Sequence, residues 1–484
     1  MGRYREYSQD QLFFGAVDSK KIKESSPSLM LIDWFVEKHV DLRVFEAKLE
    51  NQDAGAEAIN PKLILKVIFY GYTTGVRSLR EMEDHLRWDP YFWVLSCQQS
   101  IDHSTLSKFI KKYSEEIDGF LLRLYYVLDQ TGMVRYEGIA TDGTKIQANV
   151  SPRRFVGTVE DFQKKSQKLT EEIKKMKQES QKEAEESNRK LQILENSKQK
   201  IDRFLENLTQ GATDFKETDR IDPVDMDARF VREEESVFMG YNGQIAVDRE
   251  SHLIIASDVY NEASDSRLME PMVKQLQEGA AGEKIGQSQM MFDAGYFSSE
   301  NVIYAEEANL NVYIPEGHGK DGTKESGLQT ITSKDCQLAE RGQIKLLICP
   351  GGQEMEASKA SHFGKGKYFY LFRPNSEVCS GCEFKERCYA NVKQKKVFKV
   401  KKEYMDSCKS REKMRYKLST PEGKKIYRSR ASTVEHVFGT IKEVLHFRRF
   451  LFRGLKKVRL IWRIVCAAYN FRRLANLGFL TRIG

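Results

Sequence analysis

The chain has 484 residues, 40% of them hydrophobic and 31% charged, with a formal net charge of +8. Those values exclude a small disulfide scaffold and a disordered tail, and no apolar run nears the ~20 residues of a membrane span. About two to four globular domains are expected from the length. The charge is uneven: residues 391–484 hold 26 Lys and Arg against 6 Asp and Glu. A basic C-terminal fifth interleaved with Phe, Tyr and Trp points to a polyanion, nucleic acid above all. The start, MGRYREYSQD, is polar and lacks a signal-like apolar region, so a cytoplasmic, nucleoid-associated location is expected.

Residues 1–132 read as a helical domain. Leu29 to Val40 is amphipathic, Pro61 opens an apolar helix through Tyr72, and Ser78 and Glu81 have the spacing of a capping box. In IDHSTLSKFIKKYSEEI, Asp102 or Ser104 can cap a helix presenting Ser107, Lys108, Lys111 and Lys112. Paired with the helix before it, this resembles a helix-turn-helix; a plain helical bundle is the simpler alternative.

Tyr136 to Val150, YEGIATDGTKIQANV, favours strand, with Asp142-Gly143 marking a bend or bulge and small neighbours leaving room for a ligand. Residues 158–210 carry two apolar stripes separated by QESQKEAEESNRK, which reads as a helical hairpin inserted in the sheet domain. Asp219 to Phe238 reads as a polar connector. Gly240 to Ser257 reads as strands around a turn at Asp248 to Ser251, and Asp265 to Glu278 as a helix. The stretch QMMFDAGYFSSENVIYAEEANLNVYIP then reads as strand, helix, strand, with Asp293 at the carboxyl end of its first strand.

After Pro315 the pattern is interrupted. Residues 316–402 read as an insertion with brief strands such as Ile344 to Ile348, and it contains CSGCEFKERC. Cys379, Cys382 and Cys388 have the spacing of three thiolate ligands of a structural Zn²⁺, and Cys349 or Cys408 could be the fourth. Reduced cysteines in a small core are the plainer reading. Helical spacing returns in residues 403–475. There Val434, Phe438, Ile441 and Leu445 form the expected buried stripe, and Glu435 lies at its edge. Arg428 and Lys442 stand seven residues either side of Glu435. Beyond them runs a basic track that includes Arg448, Arg449, Arg453, Lys456 and Lys457, suited to a phosphate backbone.

Asp142, Asp293 and Glu435 together supply the carboxylates that two Mg²⁺ (or Mn²⁺) ions need for phosphoryl transfer. The pieces ATDGTKIQANVS, GYNGQIAVD with HLIIASDVYNEASD, MMFDAGYFSSENV and YRSRASTVEHVFGTIK occur in an order that resembles the DDE insertion-sequence transposases of bacteria. The resemblance implies an α/β fold: a ribonuclease H-like mixed sheet with flanking helices, over residues 133–315 and 403–475. It implies Asp142, Asp293 and Glu435 as the metal-binding triad. It also implies cleavage at transposon ends and strand transfer into target double-stranded DNA, with a homodimer assembled on that DNA. In one family pattern a Tyr and an Arg precede the Glu and a Lys follows it. Tyr427, Arg430 and Lys442 fit, but four residues rather than three separate Arg430 from Glu435, and Arg428 is a candidate substitute. A metal-dependent nuclease that does not join strands, and a transposase-derived DNA-binding protein, are the competing readings.

Overall fold

The structure is a computed structural model describing residues 18–49, 57–151, 156–179, 185–209, 220–233, 235–279, 282–317, 331–358, 360–362, 368–389 and 396–483. Much of the break expected between the hairpin helices, at 180–184, and much of the Gly/Ser/Lys-rich stretch, at 318–330, lie outside them. The chain forms two compact units. One comprises Met1–Asp265, Met272–Glu283 and Ala431–Gly484, and the other Ser266–Pro271 and Lys284–Arg430. The fold is α/β, and among the described residues no helix is long and apolar enough to cross a membrane.

Among the described residues the first unit begins with eight helices: Ser19–Ser25 (α1), Pro27–His39 (α2), Leu42–Glu46 (α3), Pro61–Thr73 (α4), Leu79–Trp88 (α5), Pro90–Ser96 (α6), His103–Lys112 (α7) and Ser114–Gln130 (α8). Local chemistry sets their starts. Ser26 and Asn60 cap α2 and α4 just before a proline at the first helical position, and Ser78 and Glu81 form the full capping box on α5. Asp102 is the residue that caps α7. The expected helix-turn-helix has a third helix inside it: Asp89 caps α6 between α5 and α7, and Glu83 of α5 accepts from the His103 backbone N–H at 3.0 Å.

Helix α4 is buried along nearly its whole length, including Lys66 at 1% exposure. Its ammonium sits 2.5 Å from Asp33 and 2.6 Å from Glu37, both on α2. Lys23 and Lys62 complete the cluster at 2.8 and 3.0 Å. Burial alone would raise both carboxyls, but the Lys66, Lys23 and Lys62 contacts outweigh it and hold them below their ordinary values.

Strand Gly138–Gln147 (β1) follows. Helices Val159–Glu179 (α9) and Glu185–Thr209 (α10) form the expected hairpin, and they run antiparallel, since Ser166 bonds Asp202 and Lys177 pairs with Glu195. Phe162 and Phe204 meet edge-on at 4.6 Å near its base. Three strands come next: Arg229–Glu233 (β2), Ser236–Asp248 (β3) and Ile254–Tyr260 (β4). β2 lies where a connector was expected; it pairs antiparallel with the start of β3, which its polar composition conceals. β3 also pairs antiparallel with β1, Asp142 opposite Ile245, and with β4. The helix expected from Asp265 begins later, as Met269–Glu278 (α11), because Asp265 to Arg267 make a separate 3₁₀ turn.

In the second unit, Gln289–Phe292 (β5), Ser299–Glu307 (α12) and Val312–Tyr313 (β6) form the parallel βαβ unit read from the sequence. Residues 331–401 then hold more strand than the sequence suggested. Gln337–Arg341 (β7), Ile344–Ile348 (β8) and Glu354–Glu356 (β9) make one antiparallel sheet; Ser361–His362 (β10), Tyr368–Phe372 (β11) and Phe398–Lys401 (β12) make another. Helices Ser376–Ser380 (α13) and Lys385–Tyr389 (α14) carry the cysteine motif. Lys402–Asp406 (α15), Cys408–Ser419 (α16) and Pro421–Gly439 (α17) follow, and from Ala431 onward the chain belongs to the first unit.

Leu455–Asn476 (α18) and Phe479–Ile483 (α19) end the chain. α18 is the central post of the first unit, buried at Val458, Ile461, Trp462, Val465 and Phe471. The segment DPVDMDAR secures its start. Asp225 accepts from the Gly454 N–H at 3.1 Å and the Tyr241 hydroxyl at 2.5 Å, and Asp227 accepts from the Leu455 N–H at 2.7 Å. Carboxylates at a helix N-terminus suit its dipole. Gly454 takes φ +85°, which a side chain would resist.

Replacing Lys66 with Met should lower stability by about 3 kcal/mol at neutral pH. That is the low end for a broken buried ion pair, since Lys23 and Lys62 still face the two carboxylates. Asp33 and Glu37 have depressed folded-state values, so their contribution is present above the ordinary carboxyl range and lost as pH falls through the folded values. The gap between variant and wild type in denaturant melts should therefore narrow on acidification below about pH 4.

Candidate active site

Asp142 stands in mid-β1, half-buried, with Oδ1 accepting from the Gly143 N–H at 2.8 Å. The strand runs unbroken through Asp142-Gly143, so neither bend nor bulge forms there. Gly143 has another reason. On the opposite face of the strand from Asp142, the carboxylate of Asp265 collects Asn242 Nδ2 at 2.6 Å, Gln244 Nε2 at 2.9 Å and Lys145 Nζ at 2.9 Å. A Cβ on Gly143 would lie 2.1 Å from Gln244 Nε2 and 3.0 Å from Asp265 Oδ1. The space that small residues leave is thus filled by protein, not by ligand. The sequence hinted at this network only through the polar residues of GYNGQ, which alternate onto one face of β3.

Asp293 follows β5, whose Met290, Met291 and Phe292 are fully buried. Its carboxylate caps the turn Ala294–Tyr296, accepting from Gly295 N–H at 2.6 Å. Asn301 fixes that turn from α12 by donating to the Tyr296 carbonyl at 2.6 Å. Asp293 itself is half-buried.

Glu435 is exposed on α17. The buried stripe is Val434, Val437, Ile441 and Leu445; Phe438 is only partly buried. Beyond Gly439 a π-helical turn spans Thr440–Val444, closed by Leu445 N–H donating to the Thr440 carbonyl at 2.9 Å. One extra residue per turn ends the regular phase that placed Lys442 over Glu435. Lys442 instead pairs with Glu233 of β2 at 2.6 Å. Before the π turn the phase holds. At ~100° per residue Arg428 shares the face of Glu435 and Arg430 does not; Arg430 lies 6.0 Å from the Tyr427 ring centre.

The basic track divides by its partners. Arg449 donates to the Val150 carbonyl at 2.9 Å and Arg453 to the Asn149 carbonyl at 2.8 Å, so both pin the segment after β1. Arg448 pairs with Glu443, and Lys456 with Glu115, each as an exposed ion pair. Arg428, Lys457, and on α7 Lys108 and Lys111, are exposed.

Cys349, Cys379, Cys382 and Cys388 line one small cavity in the second unit; Cys408, on α16, does not. Burial pushes the Cys388 thiol up, and the nearby Cys379, Cys349 and Cys382 add to the rise against Lys396. Among the described residues no group of three or more His, Cys, Asp or Glu side chains is gathered tightly enough to hold a metal ion, and this applies to the carboxylates and the thiols alike.

Gly143→Ala should cost about 1–3 kcal/mol, as overpacking typically does. The methyl must displace Gln244 and with it the buried contacts to Asp265. Chemical denaturation would check this; a change under about 0.5 kcal/mol would mean the network yields freely.

Residues 20–112 match a family described as a transposase domain (DUF772), and residues 348–475 match one described as a transposase DDE domain. The second match includes Glu435 and all four cavity cysteines. No curated protein matches the chain. Together the two matches support the DDE insertion-sequence transposase family as the family of this chain.

Proposed function

We propose that this transposase binds the ends of a bacterial insertion sequence, cuts them and joins them to target DNA, with a ribonuclease H-like catalytic domain and Asp142, Asp293 and Glu435 as its acidic triad. The observation that carries this reading is Glu435: an exposed carboxylate on a regular helix, inside the matched DDE segment. Asp142 on a strand and Asp293 at a strand end supply the other two positions such chemistry needs. Three carboxylates are hard oxygen donors, the set that suits Mg²⁺ or Mn²⁺. The ions, when bound, supply an activated water or 3′-hydroxyl and neutralise charge at phosphorus.

The chain's own residues hold the reacting atoms in place. The backbone N–H groups of Gly143 and Gly295 each orient one carboxylate oxygen, of Asp142 and Asp293. Arg428, two turns from Glu435 on the same face, is placed to meet a phosphate beside it. Lys457, Arg448 and Lys456 extend the cationic surface, and Lys108 and Lys111 offer a second one. Two copies assembled on paired ends complete the proposal.

Changing Asp142, Asp293 or Glu435 singly to Ala should abolish cleavage and joining of a labelled end substrate in Mg²⁺ while leaving end binding largely intact. Near wild-type cutting by folded Glu435→Ala protein would sink the triad. Cleavage without joining on paired ends would instead favour a nuclease.

Neutralising Arg428, Arg448 and Lys457 together should weaken DNA binding and make the log–log salt slope shallower by about 2–3, one increment per lost phosphate contact. Arg449→Ala and Arg453→Ala should act differently, lowering thermal stability because each removes a bond to the backbone. Anisotropy titrations at several salt concentrations, with thermal melts, separate the two groups; an unchanged slope in the triple variant would discard the surface.

A further inference from the structure

The lobe formed by residues 331–401 is poorly supplied with core. Its main cluster rests on Ile331, Leu347, Met355, Phe372, Phe398 and Val400, joined by Met405 of α15, under two sheets of short strands. Lobes of this size usually need a cross-link or a metal. Its cysteines are all free thiols.

Four of those thiols converge from two separate segments. Cys349 ends β8 and begins a tight turn, in which Gly352 N–H donates to the Cys349 carbonyl at 2.9 Å. Cys379 and Cys382 flank the end of α13, and Cys388 lies on α14, its N–H donating to the Phe384 carbonyl at 2.8 Å. The cavity they line has a volume of about 20 Å³, room for one ion or one water. Apart from the thiols its walls are mainly apolar, with Ile331, Pro350, Pro374, Phe384 and Phe398, and Lys385 also lines it. Gly351 lies between the segments. A Cβ there would stand 2.9 Å from Cys382 Sγ and 3.7 Å from Cys349 Sγ, so the backbone at Gly351 passes close to both sulfurs.

We propose that Cys349, Cys379, Cys382 and Cys388 bind one structural Zn²⁺ through four thiolates, tying the turn after β8 to α13 and α14. The sulfurs ring the cavity more widely than a bound ion would draw them. Cys379 Sγ lies 3.6 Å from Gln353 Oε1, a contact it would give up on joining the other three thiolates. Soft thiolates in a C-x₂-C pair with two further cysteines select zinc in tetrahedral geometry. Cys336 packs against the same core but turns its Sγ to the Thr332 carbonyl at 3.4 Å, and Cys408 lies off the cavity, so neither belongs to the set.

The test uses the full chain and needs no DNA, so it stands apart from any result on the triad. Elemental analysis after dialysis against a mild chelator should give one zinc per chain, and cobalt exchange should give the absorption of a tetrahedral four-thiolate site. Cys349→Ser and Cys382→Ser should lose most of the zinc; Cys336→Ser and Cys408→Ser should keep it. If the first pair fails to fold, titrating wild-type protein with a thiol-directed mercurial should release one zinc as four thiols react. Folded wild-type protein with far less than one equivalent, full zinc in Cys349→Ser, or loss in Cys408→Ser would each overturn the proposal.

Discussion

The burial of α18 against β3 and β4 is the interaction on which the first unit depends. Trp462, fully buried, donates from Nε1 to the Gln244 carbonyl at 3.0 Å and lies against Gly243, where a Cβ would come within 3.1 Å of the indole. Two turns on, the Asn470 side chain both accepts from the Ile254 N–H and donates to its carbonyl, as a neighbouring strand would. The same helix turns Phe471 towards Phe35 and Phe69, at 5.5 and 5.7 Å, binding the N-terminal helices to it. A Trp buried without its N–H bonded would cost about 1–3 kcal/mol, so the Gln244 contact fixes the helix in rotation as well as in depth.

This arrangement changes the meaning of the basic C-terminal fifth. Arg459 and Arg463 are not solvent cations: they pair with Asp258 on β4 and Asp118 on α8. Arg473 donates to the Ser251 carbonyl at 2.8 Å. In the second unit Arg411 and Arg415 pair with Glu316, and Arg411 lies over the rings of Phe297 and Tyr404. Lys417, desolvated against the Tyr313 ring and bonded to the Val312 carbonyl, is pushed down to about 8. Much of the positive charge therefore assembles the protein, and a smaller set stays exposed.

Glycine serves one purpose at two places, the approach of side chains from distant sequence. At Gly143 the missing side chain admits Gln244 and Asp265, making β1 rigid behind Asp142. At Gly351 it admits two sulfurs from different segments. In both places the residue is set by what approaches it from distant sequence, not by its own backbone angles.

The sequence by itself determined the elements whose causes are local. Capping residues beside apolar periodicity placed α2, α4, α5 and α7; an apolar run ending at Asp293 placed β5; two stripes around a polar break placed α9 and α10. It also determined the family, through motifs whose order is visible in one dimension. Only the tertiary structure decided what depends on partners far along the chain. β2 became a strand because β3 offered it an edge, although it lies in a largely polar segment. Lys442, within the π turn at Thr440–Val444, pairs with Glu233 of β2, a partner no helical wheel contains. Arg449 and Arg453, which the sequence shows only as part of a basic track, donate to carbonyls after β1. Periodicity records which face of an element is apolar; it does not record which charge another segment will meet.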